Sequence, residues 1–221
     1  MPIVFSAKLD GSEAVRHYHI SLVAFYLREA RRHALACASM PKGEESHFSE
    51  GLLAILLSAL CLEAFSNEMA ESVIAEQELP DFFKMRRRFR KPSAYRSSVT
   101  WKTACLFEAK WAHALDTDTL LVSRIESLFE LRNSLVHYNL TASAGRMHLP
   151  APAQIAVEGG GMMTVIDFEQ TATRVEKPLI STVDAKSAKQ SYNTSLAVIR
   201  LWNRLANAPA GALSAHQELT D

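Results

Sequence analysis

The segment Leu131-Arg132-Asn133-Ser134-Leu135-Val136-His137 holds the residues best suited to chemistry: an arginine, a polar amide beside it, and a histidine five positions after the arginine. On a helix, residues five apart differ by about 140° in azimuth and about 7.5 Å in rise. Two long side chains can converge on one anion from such positions. An arginine grips a phosphate through a rigid two-pronged fork. A histidine moves protons near neutral pH. Together they make a minimal metal-free kit for cutting RNA. The imidazole would deprotonate a ribose 2′-hydroxyl or protonate the leaving 5′-oxygen, and the guanidinium would stabilise charge at phosphorus. Such a reaction requires the 2′-hydroxyl and so separates RNA from DNA. The spacing alone is weak, because Arg28 and His33 satisfy it too. Context favours Arg132: Arg28 is followed by Glu29 in a run of basic surface residues, whereas Arg132 sits on a strongly amphipathic stretch just before a change in sequence texture.

The elements that must carry this segment read as helices. Helical spacing runs from Val15 to Met40 and stops at Pro41-Lys42-Gly43. Phe48 to Glu76 is the most apolar element, apolar all round in its first half, as a central bundle helix would be. A short helix and a loop are expected over Asp81 to Lys102, followed by a third long helix over Val99 to Leu115. Asp116-Thr117-Asp118 offers capping groups for a fourth helix over about Leu120 to Asn139, with Leu121, Ile125, Leu128, Leu131 and Leu135 as its stripe. Two apolar runs flanking Gly159-Gly160-Gly161 then read as a β-hairpin at about 153–168. Ser181 and Asp184 resemble a capping box for a last helix over Val183 to Ala206. The fold expected is therefore all-α: an up-and-down helical bundle in one domain, 1–221, with a small β-hairpin insertion before the last helix.

Composition narrows the class. Lys+Arg and Asp+Glu are both 24, so any affinity for anions must come from local clustering. Such a cluster exists: Arg86, Arg87, Arg88, Arg90 and Lys91 lie in a stretch with no acid between Asp81 and Glu108, interleaved with Phe89, Tyr95 and Trp101. Basic groups among aromatics suit an RNA-tracking surface as well as a solvated basic loop. Cys37, Cys61 and Cys105 form no CxxC pair and read as reduced, buried thiols. No histidine spacing suits a metal, so neither a metal nor a cofactor is expected. The N-terminal residues lack a signal-peptide pattern, and the Gly51–Leu62 apolar run is shorter than the ~20 residues a bilayer requires. A cytoplasmic protein without a membrane span is the expectation.

Arg132-Asn133-x-x-x-His137 resembles the Arg-polar-x-x-x-His signature of HEPN-domain proteins. Leu62-Glu63-Ala64-Phe65-Ser66-Asn67-Glu68 resembles a stretch on the second long helix of many such domains, and Ala109-Lys110-Trp111 agrees more weakly. The resemblance covers about residues 15–140; the β-hairpin is not a general feature of that family. It implies a HEPN-like bundle that forms a homodimer, with the two Arg-x4-His segments meeting in one composite site. It also implies a metal-independent endoribonuclease serving as a toxin or in antiviral defence, with RNA as substrate and an antitoxin or other protein as partner. Arg132 would bind phosphate, Asn133 would orient, and His137 would be the acid–base. Glu63 and Asn67, four apart on one helical face, would hold Arg132 or His137 in position. Tyr138 follows His137 directly, a departure from the His-x-Tyr of members regulated by tyrosine modification, so that regulation is not carried over. Some members of the family are inactive, and the alternative is a HEPN-like bundle acting only as a protein- or RNA-interaction module.

Overall fold

The computed structural model describes residues 3–10, 13–42, 44–115, 119–137, 147–148, 153–157, 159–165, 173–174, 179–207 and 216–220. The chain falls into two compact units, 1–133 with 183–221, and 134–182. Among the described residues the first unit contains β1 (Ile3–Asp10), β2 (Glu13–Ile20), α1 (Val23–Ser39), α2 (Glu45–Val73), α3 (Leu79–Phe83), α4 (Ser98–Trp111), most of α5 (Thr119–Val136) and α6 (Ala185–Leu205). The second contains the last residues of α5, then β3 (Met147–His148), β4 (Ala153–Val157), β5 (Gly161–Val165), β6 (Thr173–Arg174) and a 3₁₀ turn at Leu179–Thr182.

The core of the first unit is α1, α2 and α6 packed on one another, with α4 against α2. Small residues let these helices approach closely. Ala34 and Cys37 of α1 meet Ala54 of α2 and Ala188 of α6 in a fully buried cluster. A Cβ added at Gly51 would lie 3.0 Å from Val183 Cγ1 and 3.2 Å from Cys37 Sγ, so a larger residue there would have to push those side chains aside. Some polar side chains bridge the seams: the Ser195 hydroxyl donates to the Ser58 carbonyl at 2.8 Å, and Ser66 and Thr103 join α2 to α4 at 3.0 Å. Phe65, Phe107, Trp111 and Trp202 stack edge to face below them.

Two helices, α4 and α6, begin at side-chain caps supplied by their sequences. Ser97 accepts from the Val99 amide at the start of α4. At α6 the cap is Asp184 with Ser187: the Ser187 amide donates to Asp184 Oδ1 at 2.8 Å, and the Asp184 amide donates to Ser187 Oγ at 2.9 Å. The reciprocal box is thus one turn later than the Ser181–Asp184 pairing read from sequence, because Asp184 is itself the residue in extended conformation before the helix. Glu126 of α5, buried at 5 % exposure, accepts from the Arg96 amide at 3.1 Å and the Ser97 amide at 2.7 Å. One carboxylate on α5 therefore satisfies two amides at the entrance to α4.

Three differences from the sequence reading stand out. Residues 13–20 form a strand paired with residues 3–10, register Ile3↔Ile20 to Asp10↔Glu13, and α1 begins only at Val23. Val15 and His19 fit a helical period but also, with His17, a period of two, and pairing with β1 decides between them. Second, α5 ends at Val136, so His137 lies in the turn just after the helix; Asn139, and the capping residues Asp116-Thr117-Asp118, lie outside the described residues. Third, α2 falls close to the helix expected over Phe48–Glu76, but the Gly51–Leu62 run, read as too short for a bilayer, lies within an apolar helix of 29 residues. By length and mean hydropathy (1.8) it is the one helix among the described residues that could cross a membrane, although α1, α4 and α6 pack against it here. The hairpin of β4 and β5 is present as expected, its turn made by Gly159 and Gly160 at φ of 113° and 88°, a conformation that glycine adopts without strain. All three cysteines are free; burial pushes the Cys61 and Cys105 thiols up to about 12, so both are protonated and poorly nucleophilic.

Residues 216–220 lie back along α6. His216 Nδ1 is 3.2 Å from the Tyr192 hydroxyl, which donates its single proton to the Gln217 carbonyl at the same distance, so His216 is the donor in that pair. Burial, then Arg31, Arg200 and Arg28, hold the His216 imidazole below its ordinary 6.5. Besides these arginines and Tyr192, its own segment brings Glu218, paired with Arg200. Above pH 6.5 the imidazole is neutral whether the segment is docked or released. Below it, the released form takes up a proton more readily, so docking weakens as pH falls. Hydrogen exchange at the Leu219 amide is therefore expected to accelerate between pH 7 and 5, beyond the intrinsic pH effect, and to lose that excess in His216→Asn.

Candidate functional site

Arg132 lies near the end of α5, on the side of that helix turned to α2. Its Nη2 is 3.5 Å from Glu63 Oε1, and its Nη1 donates to Asn133 Oδ1 at 3.0 Å. Three of the residues singled out from sequence are thereby brought together: Glu63 from α2, Arg132 and Asn133 from α5. The Arg132 and Glu63 side chains are 27 % and 32 % exposed, so the guanidinium is anchored on one side and open to solvent on another. A pair this exposed contributes about 0–1 kcal/mol to stability. Its main physical effect is to fix the direction of the arginine. Asn67, one turn further along α2, is exposed. Glu68 beside it accepts from the Leu22 amide at 2.7 Å, at the start of α1. His137 is exposed in the turn after α5, in the second unit.

Lys102 of α4 belongs to the same surroundings, and sequence reading passed it over as one more member of the basic stretch. Its Nζ lies 5.8 Å from the ring centres of both Phe82 and Phe83. Burial pulls its pKa down, and the negative charge of Glu63 opposes that. Glu63 thus pairs with Arg132 and also acts electrostatically on Lys102 of another helix. Nothing local in the sequence ties Lys102 to Glu63; the link is tertiary.

The basic stretch is more neutral in three dimensions than in sequence. Arg87 pairs with Asp81 at 3.1 Å, and Arg88 pairs with Glu78 at 2.5 Å while covering Phe89 at 4.8 Å. The Lys91 ammonium donates to the Tyr95 carbonyl. Arg96 reaches Glu130 of α5 at 2.9 Å. Arg86 and Arg90 are exposed. The stretch is pinned by short structure: Phe82 and Phe89 stack at 5.4 Å, and Trp101 Nε1 donates to the Phe89 carbonyl. Met85 and Arg87 adopt left-handed φ of 51° and 50°, an unusual state for residues with a Cβ that the surrounding contacts enforce.

The second Arg-x4-His match resolves differently. His33 is buried, its Nδ1–H donating to Glu50 at 2.5 Å while Nε2 accepts from Arg32 at 2.8 Å. Arg28 turns instead to Glu29. With both ring nitrogens occupied, His33 is a structural link between α1 and α2. Among the described residues no group of three or more His, Cys, Asp or Glu side chains is arranged to hold a metal ion.

Set against known proteins, the chain matches no family model, no curated protein and no solved structure.

Proposed function

We propose that the chain is a metal-independent endoribonuclease of the HEPN type, working as a homodimer in which two Arg132–His137 segments share one site. The observation that carries this reading is the meeting of Glu63 with Arg132 and Asn133. The two segments were picked out separately in the sequence, and their charged groups are partners in the fold. A fixed, half-open guanidinium is what phosphate binding asks of Arg132. An exposed imidazole is what proton transfer asks of His137.

In this reading one copy's His137 removes the proton from the 2′-hydroxyl. The 2′-oxygen attacks phosphorus and the bond from phosphorus to the 5′-oxygen breaks. The second copy's His137 gives a proton to that leaving oxygen, and Arg132 offsets the negative charge on the non-bridging oxygens. The products are a 2′,3′-cyclic phosphate and a free 5′-hydroxyl.

The test is incubation of total RNA with purified protein in EDTA. Cleavage leaving cyclic phosphate ends, together with an intact all-2′-deoxy strand of the same sequence, is the expected result. A folded dimer that binds RNA or a protein partner but leaves RNA whole would move the assignment to the interaction module.

A further inference from the structure

The segment 216–220 is gripped through its backbone by side chains of one helix. Four side chains on α6 bond its main chain. Arg200 Nη2 donates to the His216 carbonyl at 2.6 Å, the Tyr192 hydroxyl to Gln217 O at 3.2 Å, and Lys189 Nζ to Thr220 O at 2.7 Å. Asn193 bonds Leu219 twice, its Nδ2 donating to the carbonyl at 2.9 Å and its Oδ1 accepting from the amide at 2.9 Å. An asparagine that satisfies both main-chain groups of one residue imitates a neighbouring strand. The segment runs antiparallel to α6, from Arg200 towards Lys189. It therefore lies as an extended peptide in a slot made by side chains, the manner in which recognition domains hold peptides through their backbones.

Three contacts read residue type, the first being His216 Nδ1 at 3.2 Å from the Tyr192 hydroxyl. Leu219, partly buried, packs against the small-residue cluster of Ala34, Cys37, Ala54 and Ala188. Glu218 pairs with Arg200 at 3.3 Å. The surroundings are cationic: Arg28 and Arg31 act on His216 from α1, with Arg200 from α6. Arg31 also interacts with the Tyr192 hydroxyl, while its Nε–H is buried without a hydrogen-bond partner.

We propose that the slot along α1 and α6 is a recognition site for an extended peptide carrying an acidic residue followed by leucine, and that residues 216–220 are its resident occupant. The resident segment and α6 belong to one chain, so a competing peptide binds against an intramolecular occupant. Leu219, the Glu218–Arg200 pair, the His216–Tyr192 bond and five main-chain hydrogen bonds hold it, against the entropy of ordering the segment. A competitor of the same chemistry that also reaches Arg31 can take its place.

The experiment uses the full chain with Leu219→Asp, which weakens the resident segment by placing a charge against the apolar cluster. A fluorescently labelled peptide of residues 215–220 (Ala-His-Gln-Glu-Leu-Thr) is titrated in, with anisotropy as the readout. The variant is expected to bind the peptide at least tenfold more tightly than the unsubstituted chain, whose slot is filled. Adding Asn193→Ala to the variant is expected to weaken binding at least tenfold. Glu218→Lys, at an exposed position, provides a second released chain should Leu219→Asp not fold. Equal binding by released and unsubstituted chains, no binding by a released chain with a native circular dichroism spectrum, or indifference to Asn193→Ala would each overturn the proposal.

Discussion

His137→Ala is expected to lower the rate of RNA cleavage by about 10²–10⁴-fold, the range that a positioned general acid–base contributes, and to leave the urea midpoint unchanged. The two halves of that expectation rest on different grounds. The kinetic half follows from the role proposed for the imidazole. The stability half follows from its exposure in the turn after α5, where it fills no core. Arg132→Ala is expected to cost about 10²–10³-fold, as removal of one charge-stabilising donor does, with stability changed by less than about 1 kcal/mol because the Glu63 pair is partly exposed. Glu63→Ala should cost less, about tenfold, and should raise KM more than it lowers kcat, since Glu63 acts by aiming the arginine. Equal activity of all three variants and the unsubstituted chain would sink the assignment of the site. A merely structural ion pair would show the opposite pattern, a change in unfolding without a change in rate.

Glu126→Ala is expected to destabilise the first unit by about 3 kcal/mol, read as a lower urea midpoint with an unchanged slope. The carboxylate is nearly inaccessible and accepts from two backbone amides, Arg96 at 3.1 Å and Ser97 at 2.7 Å. Alanine would strand both at the mouth of α4, and a hydrogen bond to a charged group is worth about 1.5–3 kcal/mol. The loss falls short of a simple doubling because water can reach Arg96, an exposed residue. Glu126→Gln retains one acceptor oxygen and should cost about 1 kcal/mol. A loss below ~0.5 kcal/mol for Glu126→Ala would show that α4 starts without this carboxylate.

Neither the carboxylate at the entrance to α4 nor the peptide-like segment on α6 was visible in the sequence, and the reason is common to both. Glu126 looks like any polar residue of an amphipathic helix, and its partners are backbone groups some thirty residues earlier. Asn193 and Leu219 have no local pattern joining them. What periodicity does encode was legible: α2, α4, α5 and α6, the hairpin around Gly159 and Gly160, and the stripe of Leu121, Ile125 and Leu128. It misled where two periods fit one set of residues, as at Val15 to His19. Gly11-Ser12 between two runs of eight residues was the overlooked hairpin signal. In the site, Glu63 with Arg132 was legible through two short motifs, whereas the acids that offset the basic stretch, Glu78, Asp81 and Glu130, lie outside it in sequence.

The long apolar helix α2 also bears on how the chain is made. Its partners α1 and α4 flank it closely in sequence, but α6, which covers a large part of it, begins only at Ala185. At about 5–20 residues per second, synthesis leaves α2 without that cover for roughly ten seconds. The nascent chain therefore carries an incompletely shielded apolar rod through most of its elongation, and the closing of α6 onto Ala54, Ser58 and Phe65 is the step that ends its exposure to chaperones and to self-association.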